Sequence, residues 1–135
     1  MKESLQILII DDDETDRMNV QNLLEKEGLK AKVHEASDYS SGMEKIRAHK
    51  FDCVLIDYKL PDATGVEILE RLRDVDRYNA PLILLTGMGG EQLVAEVMKK
   101  GAADYLSKSR LNGKHLVKSI KNAIQIGSFE QKVRS

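Results

Sequence analysis

The chain has 135 residues, 41% of them hydrophobic and 32% charged, with a formal net charge of −1. That suffices for one domain with one real core and is too short for two; no apolar run nears the ~20 residues of a bilayer-spanning helix, and the balanced charge argues against direct nucleic-acid binding. The lone Cys53 excludes an intramolecular disulfide and fits a reducing, cytoplasmic setting, and Met1-Lys2-Glu3-Ser4 lacks the apolar region of a signal peptide.

Ile7-Leu8-Ile9-Ile10 reads as a buried strand that ends on Asp11-Asp12. A helix follows, with Val20, Leu23 and Leu24 on one face and Gly28 past its end. Lys32 to Ala36 is a short second strand, and Tyr39, Met43 and Ile46 recur at helical spacing after it. Cys53-Val54-Leu55-Ile56 is the third strand, ending on Asp57, and Cys53 reads as a plain buried residue in it. Leu60 to Gly65 is a loop by composition; Thr64 is placed to cap a third helix that buries Ile68, Leu69 and Leu72. Leu82-Ile83-Leu84-Leu85 forms the fourth strand and ends on Thr86. A fourth helix turns Val94, Val97 and Met98 inward and stops at Gly101. Tyr105-Leu106-Ser107 is a short fifth strand before Lys108, and the last helix carries Leu116, Ile120, Ala123 and Ile124 on one side. The chain divides into a domain over residues 1–128 and a short polar tail over 129–135.

Strands alternating with helices of this length imply parallel pairing, right-handed crossovers and helices on both faces of the sheet. Ligands then bind beyond the carboxyl ends of the strands. Asp11, Asp12, Asp57, Thr86 and Lys108 all fall there. Taken singly each has a plain explanation: Asp11-Asp12-Asp13 is also what an acidic helix start looks like, and Asp13 or Glu14 fits that part alone. Together they form a rim where three carboxylates need a cation. Oxygen donors without a histidine or cysteine cluster favour Mg²⁺, and a carboxylate beside Mg²⁺ and a lysine is suited to accepting a phosphoryl group.

These residues resemble a known family. Ile9-Ile10-Asp11-Asp12, Leu55-Ile56-Asp57-Tyr58-Lys59-Leu60-Pro61 with Gly65, Leu84-Leu85-Thr86-Gly87, and Gly101 through Lys108 look like the receiver domain of bacterial two-component response regulators. The resemblance implies a flavodoxin-like, doubly wound α/β fold with five helices on two faces. Its five parallel strands would follow the order 2-1-3-4-5, which receiver proteins share with flavodoxin. It implies that Asp57 accepts the phosphoryl group, and that Asp12, Asp11 through water, Asp57 and the Lys59 carbonyl hold Mg²⁺. Thr86 and Lys108 then bind the phosphoryl oxygens, and Thr86 and Tyr105 form the switch. The implied donor is a histidine kinase or phosphotransfer protein. The chain would be no enzyme beyond catalysing its own phosphorylation and dephosphorylation.

One position departs from the pattern, and the segment from Ser109 to Gly113 looks about one residue longer than the family's. Ser109 follows Lys108 where the family usually has proline, so a trans Lys108–Ser109 bond is expected, because a non-proline cis bond costs roughly 2.5–4 kcal/mol. Lys59 and Met88 occupy positions that flank the phosphoryl group and suggest a slowed hydrolysis. His34, His49 and His115 match no phosphotransfer motif and read as surface or boundary residues.

From Lys99 onward nine basic residues face two acids, a surplus of seven. This is either a solvated helix face or a docking surface for an acidic output partner or, in a homodimer, the chain's own copy. The output partner stays unnamed, and an output domain outside this sequence is equally open. Two rival functions fit the residues less well. A haloacid-dehalogenase-type phosphatase would use Asp11 and Asp13 as its Asp-x-Asp pair, but gives Thr86 and Tyr105 no role and needs a cap. A flavin-binding domain of similar fold would not place three aspartates where its phosphate belongs.

Overall fold

The computed structural model describes residues 4–75, 78–87 and 91–134. Five strands form one sheet: β1 (Leu5–Ile10), β2 (Ala31–Ala36), β3 (Cys53–Asp57), β4 (Leu82–Thr86) and β5 (Asp104–Ser107). Their order is β2-β1-β3-β4-β5, and every pairing is parallel. Between and after them run α1 (Glu14–Lys26), α2 (Tyr39–Ala48), α3 (Gly65–Glu70), α4 (Glu91–Lys99) and α5 (Gly113–Arg134). This is the doubly wound α/β fold expected from the alternating pattern. The backbone of α5 takes in residues 129–134, which composition alone sets apart as a tail.

Side chains on successive strand residues point to opposite faces, so the sheet divides its apolar residues between two layers. Leu8, Ile10, Val54, Ile56, Leu82 and Leu84 pack with Met43, Ile68, Leu69, Leu72 and Val97 of the α2, α3 and α4 side. Ile7, Ile9, Cys53, Leu55, Ile83 and Leu85 pack with Val20 and Leu24 of α1 and Leu116, Ile120 and Ala123 of α5. Cys53 is fully buried, and that burial pushes its thiol up to about 12, so it acts as core. Met98 departs from expectation: it is 44% exposed, because α4 presents Val97 to the sheet and the next residue turns about 100° away.

The helix ends follow the local chemistry. Asp13 caps α1 by accepting from the Thr15 N–H at 2.8 Å, and Asp38 caps α2 through Ser41 N–H at 2.8 Å. Thr64 caps α3 as expected, within a capping box closed by Glu67. Gly28 and Gly101, at φ of 74° and 105°, end α1 and α4 in a region that L side chains rarely adopt.

Candidate functional site

The alternation that divides the core also aims the charges. Asp11 continues the Ile7–Ile9 face and Asp57 the Cys53–Leu55 face, so both carboxylates leave the carboxyl edge of the sheet on the side of α1 and α5. Lys108 continues beyond Leu106 on that side and meets them. Its ammonium lies 2.8 Å from Asp11 Oδ2 and 3.2 Å from Asp57 Oδ1. Asp11 is fully buried, Asp57 is 6% exposed, and Asp12 is open to solvent.

Carboxylate oxygens of Asp11, Asp12 and Asp57 all lie within 4.8 Å of one another. Three like charges at this spacing repel strongly, and one ammonium offsets only part of that. The donors are hard oxygens, and the exposed Asp12 leaves the group open on one side, so the cluster fits a hard divalent cation. Burial, then the Asp11 charge, raises the Asp57 carboxyl to about 6 against the pull of Lys108 and of the Lys59 backbone N–H. Burial works against the Lys108 ammonium, yet hydrogen bonds to Asp11 and Asp16 and the charges of Asp11 and Asp57 overcome it and raise its pKa.

The backbone around the cluster is fixed on several sides. Asp11 N–H donates to the Ala36 carbonyl at 2.9 Å, Asp11 Oδ1 accepts from Asp13 N–H at 2.9 Å, and Arg17 Nη1 donates to the Asp11 carbonyl at 2.6 Å. Beyond Asp57, Tyr58 N–H reaches the Leu85 carbonyl at 2.8 Å and Gly65 N–H the Tyr58 carbonyl at 2.6 Å. Lys59 and Thr64 pair across this loop, with the Lys59 side chain exposed. Asp62, a plain loop residue in the sequence, clamps the loop to α2 by accepting from the N–H groups of Tyr39 and Ser40 at 2.8 and 3.2 Å.

Thr86 is 3% exposed and ends β4, one residue beyond the Asp57–Leu85 pair. It shares the sheet face of Leu84. Tyr105 pairs with Leu84 and rests half-buried on that same α2–α4 core, so Thr86 and Tyr105 are diagonal neighbours on one face. The site thus separates a charged group on the α1/α5 side from a hydroxyl–aromatic pair on the α4 side.

Lys108–Ser109 is trans, since the described residues contain no cis peptide. After the lysine the chain forms a 3₁₀ turn over Lys108–Arg110, and Ser107 and Ser109 hydroxyls meet at 2.9 Å. Met88 lies outside the described residues. Asp13 is occupied as the α1 cap and stands apart from the acidic group, which leaves the Asp-x-Asp phosphatase pair unassembled. His34 is half-buried and His49 exposed; their ring centroids lie 5.3 Å apart beside Phe51, in a small aromatic group at the boundary of the core. Sequence reasoning misses Asp16 altogether: its carboxylate lies 2.7 Å from the Lys108 ammonium.

A parallel sheet in this order, with acids and a lysine at its carboxyl edge, is the arrangement of a receiver-type domain. The response regulator receiver domain model matches residues 7–121, and the chain belongs to that family. It is similar to the crystal structure of a CheY-like receiver domain protein from Methanospirillum hungatei, with 30% identity and a TM-score of 0.79, covering 95% of this chain and 99% of that one. A receiver domain from Clostridium thermocellum is 31% identical, with a TM-score of 0.79 and coverage of 93% and 98%. Among curated relatives, the transcriptional regulatory protein SrrA of Staphylococcus aureus is 33% identical over 105 residues. That alignment takes in 78% of this chain and 42% of SrrA, so the chain spans less than half of that relative. No described helix is long and apolar enough to cross a membrane.

Proposed function

We propose that the chain is a phosphorylation-driven switch in a two-component phosphorelay and that Asp57 is its phosphoacceptor. The observation that carries this reading is the Asp57 carboxylate, nearly buried, held by Lys108 and set against Asp11 and Asp12. Asp57 attacks phosphorus in a phosphohistidine of a histidine kinase or phosphotransfer protein. An Asp57 O–P bond forms, the P–N bond breaks, and its electron pair returns to the imidazole. The charge to be managed is anionic throughout, so positioning and electrostatics supply the catalysis.

Asp11, Asp12, Asp57 and the Lys59 carbonyl would hold Mg²⁺, which supplies charge neutralisation for the transferring group. Lys108 and Thr86 take the phosphoryl oxygens. The product adds roughly two negative charges at the end of β3. Drawing Thr86 toward them opens space for the Tyr105 ring to turn inward, and the surface of α4, β5 and α5 changes. The output is an altered contact with a protein partner, a second copy, or an output domain beyond this sequence. The chain turns over only its own phosphoryl group, in the cytoplasm.

The test is incubation with a small phosphodonor, with and without Mg²⁺, followed by intact-mass measurement. One acid-stable, base-labile phosphoryl group is expected only with Mg²⁺. Equal labelling of Asp57→Asn would defeat the assignment.

A further inference from the structure

A lysine ammonium has three N–H donors, and three carboxylates surround that of Lys108. Asp16 Oδ2 is nearest at 2.7 Å, followed by Asp11 Oδ2 at 2.8 Å and Asp57 Oδ1 at 3.2 Å. Asp16 sits in the first turn of α1, 92 residues from Lys108 in sequence, and stands outside the acidic group that could hold a cation. Its side chain is 36% exposed, against 0% for Asp11 and 8% for Asp57. Asp16 therefore grips the ammonium from the more open side of the site, while the other two grip it from within.

We infer that Asp16 is a positioning residue that competes for the Lys108 ammonium and thereby weakens the hold of this site on a phosphoryl group. The inference rests on the phosphoacceptor reading of Asp57. Phosphorylation converts the Asp57 carboxylate into a mixed anhydride, which removes its charge and sets phosphoryl oxygens beyond it. Lys108 must turn donors toward those oxygens, and its present partners differ in what release entails. Letting go of Asp11 takes the ammonium from a fully buried carboxylate that water cannot reach, which is unfavourable even with a cation on its other side. Asp16 faces water, which can replace the ammonium with little loss. The exchange is therefore made at Asp16, and whatever its contact with Lys108 contributes in the resting state is subtracted from phosphoryl binding.

The first turn of α1 has independent anchors. Arg17 bonds the Asp11 carbonyl and pairs with Glu35 at 2.9 Å, and Asp13 caps the helix. Asp16→Asn, nearly isosteric, thus removes the charge without removing the support.

Trifluoroberyllate, a phosphoryl mimic, supplies the test on the full chain at saturating Mg²⁺. Calorimetry should show about two- to fivefold tighter binding for Asp16→Asn, the range that partly exposed ion pairs support. Asp16→Glu should return the affinity toward wild type. In a Lys108→Met background the Asp16→Asn gain should vanish. In the free protein, nitrogen NMR of the Lys108 ammonium should show faster proton exchange once Asp16 is neutral. Unchanged or weaker binding by Asp16→Asn, an equal gain without Lys108, or unaltered ammonium exchange would overturn the role of Asp16. A wild-type chain that bound no trifluoroberyllate and took no phosphoryl label would instead overturn the phosphoacceptor reading itself.

Discussion

Gly65 lies directly against the backbone of Asp57: a Cβ on it would come within 2.9 Å of the Asp57 carbonyl oxygen and 3.0 Å of Tyr58 Cα. The third neighbour, Leu84 Cδ1 at 2.6 Å, can rotate aside, but the two backbone atoms cannot. The glycine therefore lets the start of α3 close over the end of β3, against the backbone that carries Asp57. Gly65→Ala should destabilise the fold by roughly 1–3 kcal/mol, the usual result of overpacking. It should also slow labelling of Asp57 under conditions where the variant stays folded. Urea unfolding and the labelling time course check the two effects separately. Wild-type values in both would show that the loop yields without moving the carboxylate.

The charge cluster predicts an unusual pH dependence. The Asp57 carboxyl, ordinarily at 3.8, is raised to about 6 by burial and by Asp11. A raised carboxyl keeps its proton in the folded chain at a pH where the unfolded chain has lost it. Between about pH 4 and 6, folding stability from this group falls as pH rises, and above about 6 the full penalty stands, on the order of 2 to 3 kcal/mol. Asp57→Asn should therefore be more stable than wild type at pH 7.5 with divalent cations chelated, and the gap should close near pH 4, where both side chains are neutral. Added Mg²⁺ should narrow the gap at pH 7.5. Urea titrations at the two pH values, with and without Mg²⁺, measure it; a gap independent of pH would mean that the Asp57 charge is not its source.

The strands and the main charges are legible in the sequence because each is a local event. A run such as Ile7 to Ile10 is apolar on consecutive residues only where both sheet faces are covered, and Asp11 marks where cover ends. The same reasoning locates Asp57, whereas Lys108 follows the shorter, half-buried Tyr105–Ser107 run of β5. Asp16 is hidden for the opposite reason. In sequence it is one more acid in the first turn of a helix, where the macrodipole favours acids, and its partner is 92 residues distant. Asp62 is hidden likewise, since it meets the start of α2 from another loop. The Glu67 half of the capping box has a signal that could have found it, because Thr64-x-x-Glu67 has the required spacing. Met98 is misplaced by sequence because α4 mixes apolar residues on more than one face, and only the sheet decides between them.

Output should follow from the Thr86–Tyr105 diagonal. The two residues share the α4 face of the sheet, Thr86 buried and Tyr105 half-buried. Lys99, Lys114, Lys118 and Lys121 are exposed on α4 and α5, which flank β5. An inward turn of the Tyr105 ring removes an aromatic edge from ground bordered by positive charge, so activation should alter affinity for an acidic surface or for a second copy. Rim charges act mainly on association rate, and salt screens them over about 8 Å at physiological ionic strength. Trifluoroberyllate should therefore change self-association, or binding of an acidic partner, and Thr86→Ala should remove that change while leaving Asp57 able to accept label. Reversing Lys118 and Lys121 to Glu should slow association by at least about tenfold at low salt, with dissociation little altered. Sedimentation and stopped-flow binding across a salt series read both effects. If activation changed neither assembly, or the charge reversals left the association rate intact, the output face would have to be sought elsewhere, on the exposed side of α1 beginning with Met18.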